Sequence, residues 1–564
     1  MPPQPMWQGI VARKRAERDA KIPSEWRLAE SLLSEWRLAG SLPSGARPSV
    51  TRPIDFLPRC GILTEHDLAI TAPDATELLA RISAGKVTAE DVVRSFCKRA
   101  AVAHQLTNCL TEIMFSEAIE RAKWLDSEFK NGNKPVGPLH GLPISVKDQF
   151  YIKGYDSSIG ITALCFNPAK STSQAVQMLL NAGCVIIAKT TVPQTVLTAD
   201  TDSIVFGRTA NPHNAEFGAG GSSGGEGALM AMGGSALGLG TDAAGSVRMP
   251  AAVCGVVGYK PSAYRIPIDG QRILGKGIMG TTSLGPPGVS GFLARSVRDA
   301  RLAARVMAEA QPWNDSPFIY PHPWMQIPSP DKPRIGVWLT TGVVHLHPPV
   351  ARGLRLAHDR LKRAGYEVIE LAPPPFEKAS EIHFKMGEFM DVSHMRKLLE
   401  SEPHTNIVQA MGNMTPKGMQ PELSVEYLHE LNFQIARIAM QMKRYWLHDG
   451  KPLDGILFVN APHTAVPFDK YLWVAFTGII NVVDWTSIAI PLNENADKNI
   501  DVAMPLEDCY NDLDLSIQKL YDAEKFHGLP LSVQLIGQRF EDEKLLALAE
   551  EITPVITQRG QSKL

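Results

Sequence analysis

Disulfide and zinc chemistry have little to work with in this chain of 564 residues. Its seven cysteines are odd in number and scattered, with no Cys-x-x-Cys pair and no His/Cys cluster. That pattern excludes a disulfide scaffold and reads as the reduced thiols of an intracellular protein that needs no metal or other cofactor. Excess charge of one sign is missing as well. Lys and Arg number 57 against 59 Asp and Glu, a formal charge of -2, so nothing draws the chain to nucleic acid. No uninterrupted apolar run is long enough to cross a bilayer. The longest, Trp473 to Ile480, ends in Asn481 and Asp484 and reads as buried core. Met1 to Lys21 is charged and broken by prolines, so it holds no signal-peptide core.

What is present is ordinary globular material, 44% hydrophobic, in a chain able to bury a large core. Thr88 followed by Asp91 is a capping-box-like start, and Val92, Phe96, Ala100 and Ala103 then recur on one helical face. Ser173 to Ala182 reads as a helix stopped by Gly183 and followed by an apolar strand, Val185 to Ala188. Leu531 to Ile536 reads as a further strand and Glu541 to Glu551 as an acid-started helix. Helix, glycine and buried strand in this rhythm predict an α/β fold, its sheet covered by helices. Ser24 to Ala29 recurs as Ser34 to Ala39, a duplication too short and too few in copies for a solenoid. It reads as part of a helical arm, with Pro43, Pro48 and Pro53 forming an extended linker into the main domain.

Three small-residue stretches each present one reactive side chain. They are Gly141 to Asp148 with Lys147, Gly220 to Gly227 with Ser222, and Thr241 to Arg248 with Ser246. One amine and two hydroxyls suffice to activate a serine without histidine, provided the lysine is buried enough to be neutral. Pro143 to Val146 is an apolar, strand-like run that would carry Lys147 inside; the alternative is a structural pair with Asp148. Ala243, Ala244 and Gly245 leave the backbone before Ser246 open and could aim consecutive N–H groups at one point, as an oxyanion hole does. Gly220 to Gly224 also satisfies G-x-S-x-G, the nucleophile elbow, but Asn214 to Ala219 before it does not read as the buried strand an elbow needs. The run around Gly238 and Gly240 lacks the acidic partner and preceding strand of a dinucleotide loop.

The order of these stretches resembles the amidase signature family, of the fungal acetamidase and general amidase type, with fatty-acid amide hydrolases as cousins. The flanking segments His104 to Glu112, Val192 to Gln194, Phe206 to His213 and Gly528 to Gly537 agree, so the likeness runs from about Leu57 to Ile552. The resemblance implies one amidase domain over 57–555, a large mixed sheet with helices on both faces, between an arm at 1–56 and a tail at 556–564. It implies an amidase that cleaves a carboxylic amide through an acyl-enzyme. Ser246 is then the nucleophile, Ser222 the bridge that follows a cis Gly221–Ser222 bond, and Lys147 the base. Ala243, Ala244, Gly245 and Ser246 form the oxyanion hole, Ala244 standing where the family usually has glycine. Val196 takes a position that lines the acyl pocket in fatty-acid amide hydrolases, with plain core as the alternative. Asp242 and Arg248 support the turn, either as a structural ion pair or in catalysis, and His104, His140 and His213 are structural. Helices roofing the channel are implied within Pro373 to Asp469.

Rival readings are an amidotransferase-type subunit that needs a partner, a non-catalytic scaffold, and a specialised hydrolase of a biosynthetic pathway. A small-molecule amide is the expected partner, and a homodimer is left open. The chain ends Ser562-Lys563-Leu564, which reads as a peroxisomal address for an import receptor, the alternatives being a polar tail that ends this way by chance and a cytoplasmic location.

Overall fold

The computed structural model describes residues 6–32, 52–132, 134–272, 288–328, 330–387, 397–405, 424–471 and 473–558. The second copy of the duplication, Pro43, Pro48 and the terminal Ser562 to Leu564 lie outside them.

Eleven strands make the central sheet among the described residues. In chain order they are β1 Leu110–Ile113, β2 Pro143–Lys147, β3 Val185–Thr190, β4 Leu237–Asp242, β5 Val257–Lys260 and β6 Val289–Ala294, then β7 Arg334–Val337, β8 Glu367–Glu370, β9 Gly455–Phe458, β10 Ser487–Asn495 and β11 Pro530–Ile536. Across the sheet they run β1-β3-β2-β4-β6-β5-β10-β11-β9-β7-β8. The sheet is mixed: β3, β2 and β4 are mutually parallel, whereas β4, β6, β5 and β10 alternate in direction. Every residue of β2, β3 and β4 is buried, as expected of central strands covered on both faces.

Local chemistry accounts for the elements. The Ala89–Thr107 helix starts where the Thr88 hydroxyl accepts the Asp91 N–H at 3.1 Å and stops at Asn108, which is left-handed at φ 56°. Its buried face includes Val92, Phe96, Ala100 and Ala103, as their spacing predicts. The Gln174–Asn181 and Asp542–Ile556 helices stand at the expected places, the second ending five residues later than expected and running through Pro554. The apolar run near Trp473 is a buried helix, Ala475–Val482. Among the described residues of the span from Pro373 to Asp469 are two helices, Phe376–Gly387 and Val425–Lys443. All seven cysteines are free.

An opening helix, Met6–Ala20, lies against this body. Its buried Lys14 bridges Glu112 at 2.6 Å and Asp156 at 2.7 Å, while Arg15 donates to the Val205 carbonyl at 2.7 Å.

Candidate active site

Two neighbouring parallel strands set the site. Ser145 lies opposite Gly238 and Val146 opposite Leu239, so β2 and β4 deliver Lys147 and Thr241 to the same end of the sheet. The carboxyl ends of parallel strands are where α/β sheets leave a crevice. The Lys147 side chain is fully buried, its Nζ 2.8 Å from Ser222 Oγ and 2.7 Å from Thr241 Oγ1. Burial pushes the amine down to about 7, and the charges of Asp242 and Glu226 only partly oppose it. Asp148 points elsewhere. It accepts from the Thr111 hydroxyl and the Ile159 N–H, each at 2.8 Å, and pairs with Lys189 at 3.7 Å. Lys147 is therefore not a partner of Asp148.

Ser222 sits in the loop that enters the Gly224–Ala231 helix, after a cis Gly221–Ser222 peptide. Asn214–Gly218 does form a strand, which the sequence did not suggest, but it pairs with Ala210–Asn211 in a separate two-stranded ribbon. The elbow geometry is thus not that of a sheet strand. Ser222 hydrogen-bonds an amine rather than an imidazole.

The Ser246 turn is built around a buried carboxylate. Asp242 accepts the N–H groups of Gly245 at 2.8 Å and Val247 at 3.2 Å, and Arg248 grips it through Nε at 3.0 Å and Nη2 at 2.9 Å. Burial alone would raise this carboxyl, but Arg248, Lys260 and Asn481 outweigh it and hold the group well below the usual carboxylate range. Arg248 in turn donates to Asn481 Oδ1 at 2.7 Å and to the Thr477 carbonyl at 3.0 Å, which fastens the turn to the Ala475–Val482 helix.

This geometry corrects one expectation. The Gly245 N–H already donates to Asp242, so Gly245 is not an oxyanion donor; its own task is conformational. At φ 120° any Cβ on Gly245 would fall 2.3 Å from Thr477 Oγ1. Among the described residues, the N–H groups of Ala243, Ala244 and Ser246 meet no acceptor. Ala244 is not among the residues of positive φ, so its methyl is accommodated without strain. The Ser246 hydroxyl makes no hydrogen bond among the described residues, but its carbonyl accepts the Ser223 N–H at 3.1 Å, tying the two serine loops side by side.

Val196 lies apart from these contacts. It packs, half-buried, against Ile159, Ile161, Leu164, Val192 and Leu399, and holds φ at 67°, a strained setting for a β-branched residue. His104 Nδ1 accepts the Leu110 N–H and His140 Nδ1 the Val136 N–H, while His213 Nε2 lies 3.0 Å from the Cys254 carbonyl. All three serve the backbone. Thr241, Gln149, Glu226 and Asn481 have no role in the site that the sequence alone assigns. Thr241 bridges Lys147 to Gln149 Oε1, which accepts its proton at 3.0 Å, and only its place before Asp242 could have flagged it.

A family model described as Amidase matches residues 91–546. An acetamidase of Emericella nidulans is 36% identical over 571 aligned residues, covering 97% of each chain. One of Aspergillus oryzae is 33% identical over 98% of this chain and 99% of its own. Among solved structures, a fatty acid amide hydrolase superposes with a TM-score of 0.90 at 29% identity, over 98% of this chain and 95% of its own.

Proposed function

The chain belongs to the amidase family and hydrolyses amides, and we propose that it does so by a Lys147–Ser222–Ser246 relay through an acyl-enzyme. The observation that carries this reading is the 2.8 Å contact between Ser222 and an amine buried deeply enough to be neutral near pH 7. A lysine left in water would stay protonated and could accept nothing.

In the proposed sequence Lys147 Nζ takes the Ser222 proton as Ser222 takes that of Ser246, whose Oγ bonds to the amide carbon. The carbonyl electron pair moves onto oxygen and is met by the N–H groups of Ala243, Ala244 and Ser246. Losing one such donor typically costs about 100- to 1,000-fold in rate. The pair returns, the C–N bond breaks, and Ser222 passes a proton to the departing nitrogen while Lys147 gives its own back. Water then attacks the ester through the same relay, releasing the acid and freeing Ser246.

Likeness to two acetamidases supports a small carboxylic amide as substrate. Fluorophosphonate labelling with the adduct mapped by peptide mass tests the assignment. The expected adduct is on Ser246 and is abolished by Lys147→Met; an adduct on Ser222 would restore the elbow reading. Ammonia release from acetamide by the isolated chain would separate it from a partner-dependent subunit. We further propose, from Ser562-Lys563-Leu564, delivery to peroxisomes through an import receptor. A fluorescent protein fused ahead of an intact C-terminus should become punctate, and a cytosolic signal would remove the proposal.

A further inference from the structure

Behind Lys147 lies a second buried ionisable group that the relay does not use. Glu226 stands in the Gly224–Ala231 helix, four residues beyond Ser222, and is fully buried. Its Oε2 accepts from Ser145 Oγ at 2.5 Å and its Oε1 from Thr190 Oγ1 at 2.8 Å. Ser145 precedes Lys147 by two residues on β2, so both side chains leave the same face of the strand. The Glu226 carboxyl and the Lys147 amine are therefore successive members of one polar row, packed under the same helix. Gly238 on β4 makes room for the row, since a Cβ there would fall 2.2 Å from Glu226 Oε2.

A buried carboxyl with two hydroxyl donors and no guanidinium is not a structural ion pair of the Asp242–Arg248 kind. The charged and titratable groups around it are few: Lys147 on β2 and the Cys109 thiol before β1. Lys147 itself is faced by Asp242 and Glu226. Of these two, Asp242 is committed to Arg248, to Asn481 and to the N–H groups of the nucleophile turn. Glu226 is left as the group free to respond to the amine.

Burial helps a catalytic lysine only up to a point. Taken too far it leaves an amine that is always neutral but too weak a base to draw a hydroxyl proton. A negative neighbour opposes that drift, and burial raises the Glu226 carboxyl while the Lys147 amine lowers it, so the two titrate as a coupled pair in which an ionised carboxyl favours the protonated amine. Resting on the relay proposed above, we infer that Glu226 is a positioning residue that acts through Lys147. Its carboxyl, fixed by Ser145 and Thr190, keeps the buried amine basic enough to take the Ser222 proton.

The test is the pH dependence of kcat/KM for Glu226→Gln, with the rate of fluorophosphonate labelling as a readout independent of turnover. Removing the carboxylate should move the acid limb of both profiles to lower pH by roughly one unit and reduce the plateau several-fold. Thr190→Val, which withdraws one donor and so disfavours the carboxylate, should move the limb the same way by less; it stands in if the glutamine variant fails to fold. A uniform loss with the limb in place, or a shift to higher pH, would overturn the inference while leaving the relay intact. The relay itself fails separately, if Lys147→Met keeps turnover within about tenfold of the parent.

Discussion

Replacing Lys147 by methionine should destroy activity and stabilise the protein at once. A lysine whose pKa is 10.5 when unfolded and about 7 when folded binds more protons unfolded across that interval. Stability therefore rises with pH between the two values, and the buried lysine costs most at and below neutrality. At 1.36 kcal/mol per unit, the displacement amounts to about 5 kcal/mol in acid, about 4 kcal/mol near pH 7 and about 2 kcal/mol near pH 9. Methionine has similar length and no charge, so the variant should gain stability on that scale. Urea unfolding of both proteins, compared as a difference at each pH, largely removes the contributions of groups that titrate alike in the two. Turnover should meanwhile fall by about 100- to 10,000-fold with the loss of the general base. A stability difference that stays flat between about pH 7 and pH 9 would refute the claim that Lys147 is buried as a neutral amine.

Other consequences follow from the nucleophile turn. Gly245→Ala would drive a methyl into the Thr477 side chain, 2.3 Å from its Oγ1, at a backbone angle that L-residues avoid. Thermal melting should show a loss of roughly 1–3 kcal/mol, and serine labelling should slow with it. Arg248→Ala would strand the Asp242 carboxylate without its cation, at a cost of roughly 3–5 kcal/mol in urea unfolding. Asn481→Leu removes a neutral partner of both Asp242 and Arg248 but leaves their ion pair in place, and should cost less than Arg248→Ala in the same assay.

The parts of the site that were legible in sequence are those whose chemistry is local. Lys147 ends an apolar strand, and Ser222 and Ser246 sit in glycine-bearing turns, so residue type and neighbours alone suggest their use. Asp242 and Arg248, six residues apart, share a turn and in the structure share a salt bridge at 2.9 Å. What was hidden depends on distant pairing. Asn481 meets Asp242 across 239 residues, and Glu226 meets Ser145 across 81. The misreading of Gly245 has the same root, because consecutive N–H groups point freely only if no buried carboxylate collects them. In the fold, the helices and buried strands declared themselves by periodicity, whereas Glu367–Glu370 at the sheet edge, charged at both ends and half-exposed, gave no apolar signal.

Lys14 bears on where this enzyme can be cut. A fragment begun near Leu57 would retain every residue of the proposed relay and the whole of the family match, and would look complete on a sequence map. It would also bare two carboxyls that the opening helix covers, Glu112 and Asp156, the first already pushed up to about 7 by burial although Lys14 touches it. Without that amine both carboxyls would have to take up protons or water, and water would then enter beside Lys189, which hydrogen-bonds Ser157 at 2.7 Å and faces Asp148. The opening helix thus acts as a plug, and the minimal working unit is longer than its catalytic pattern.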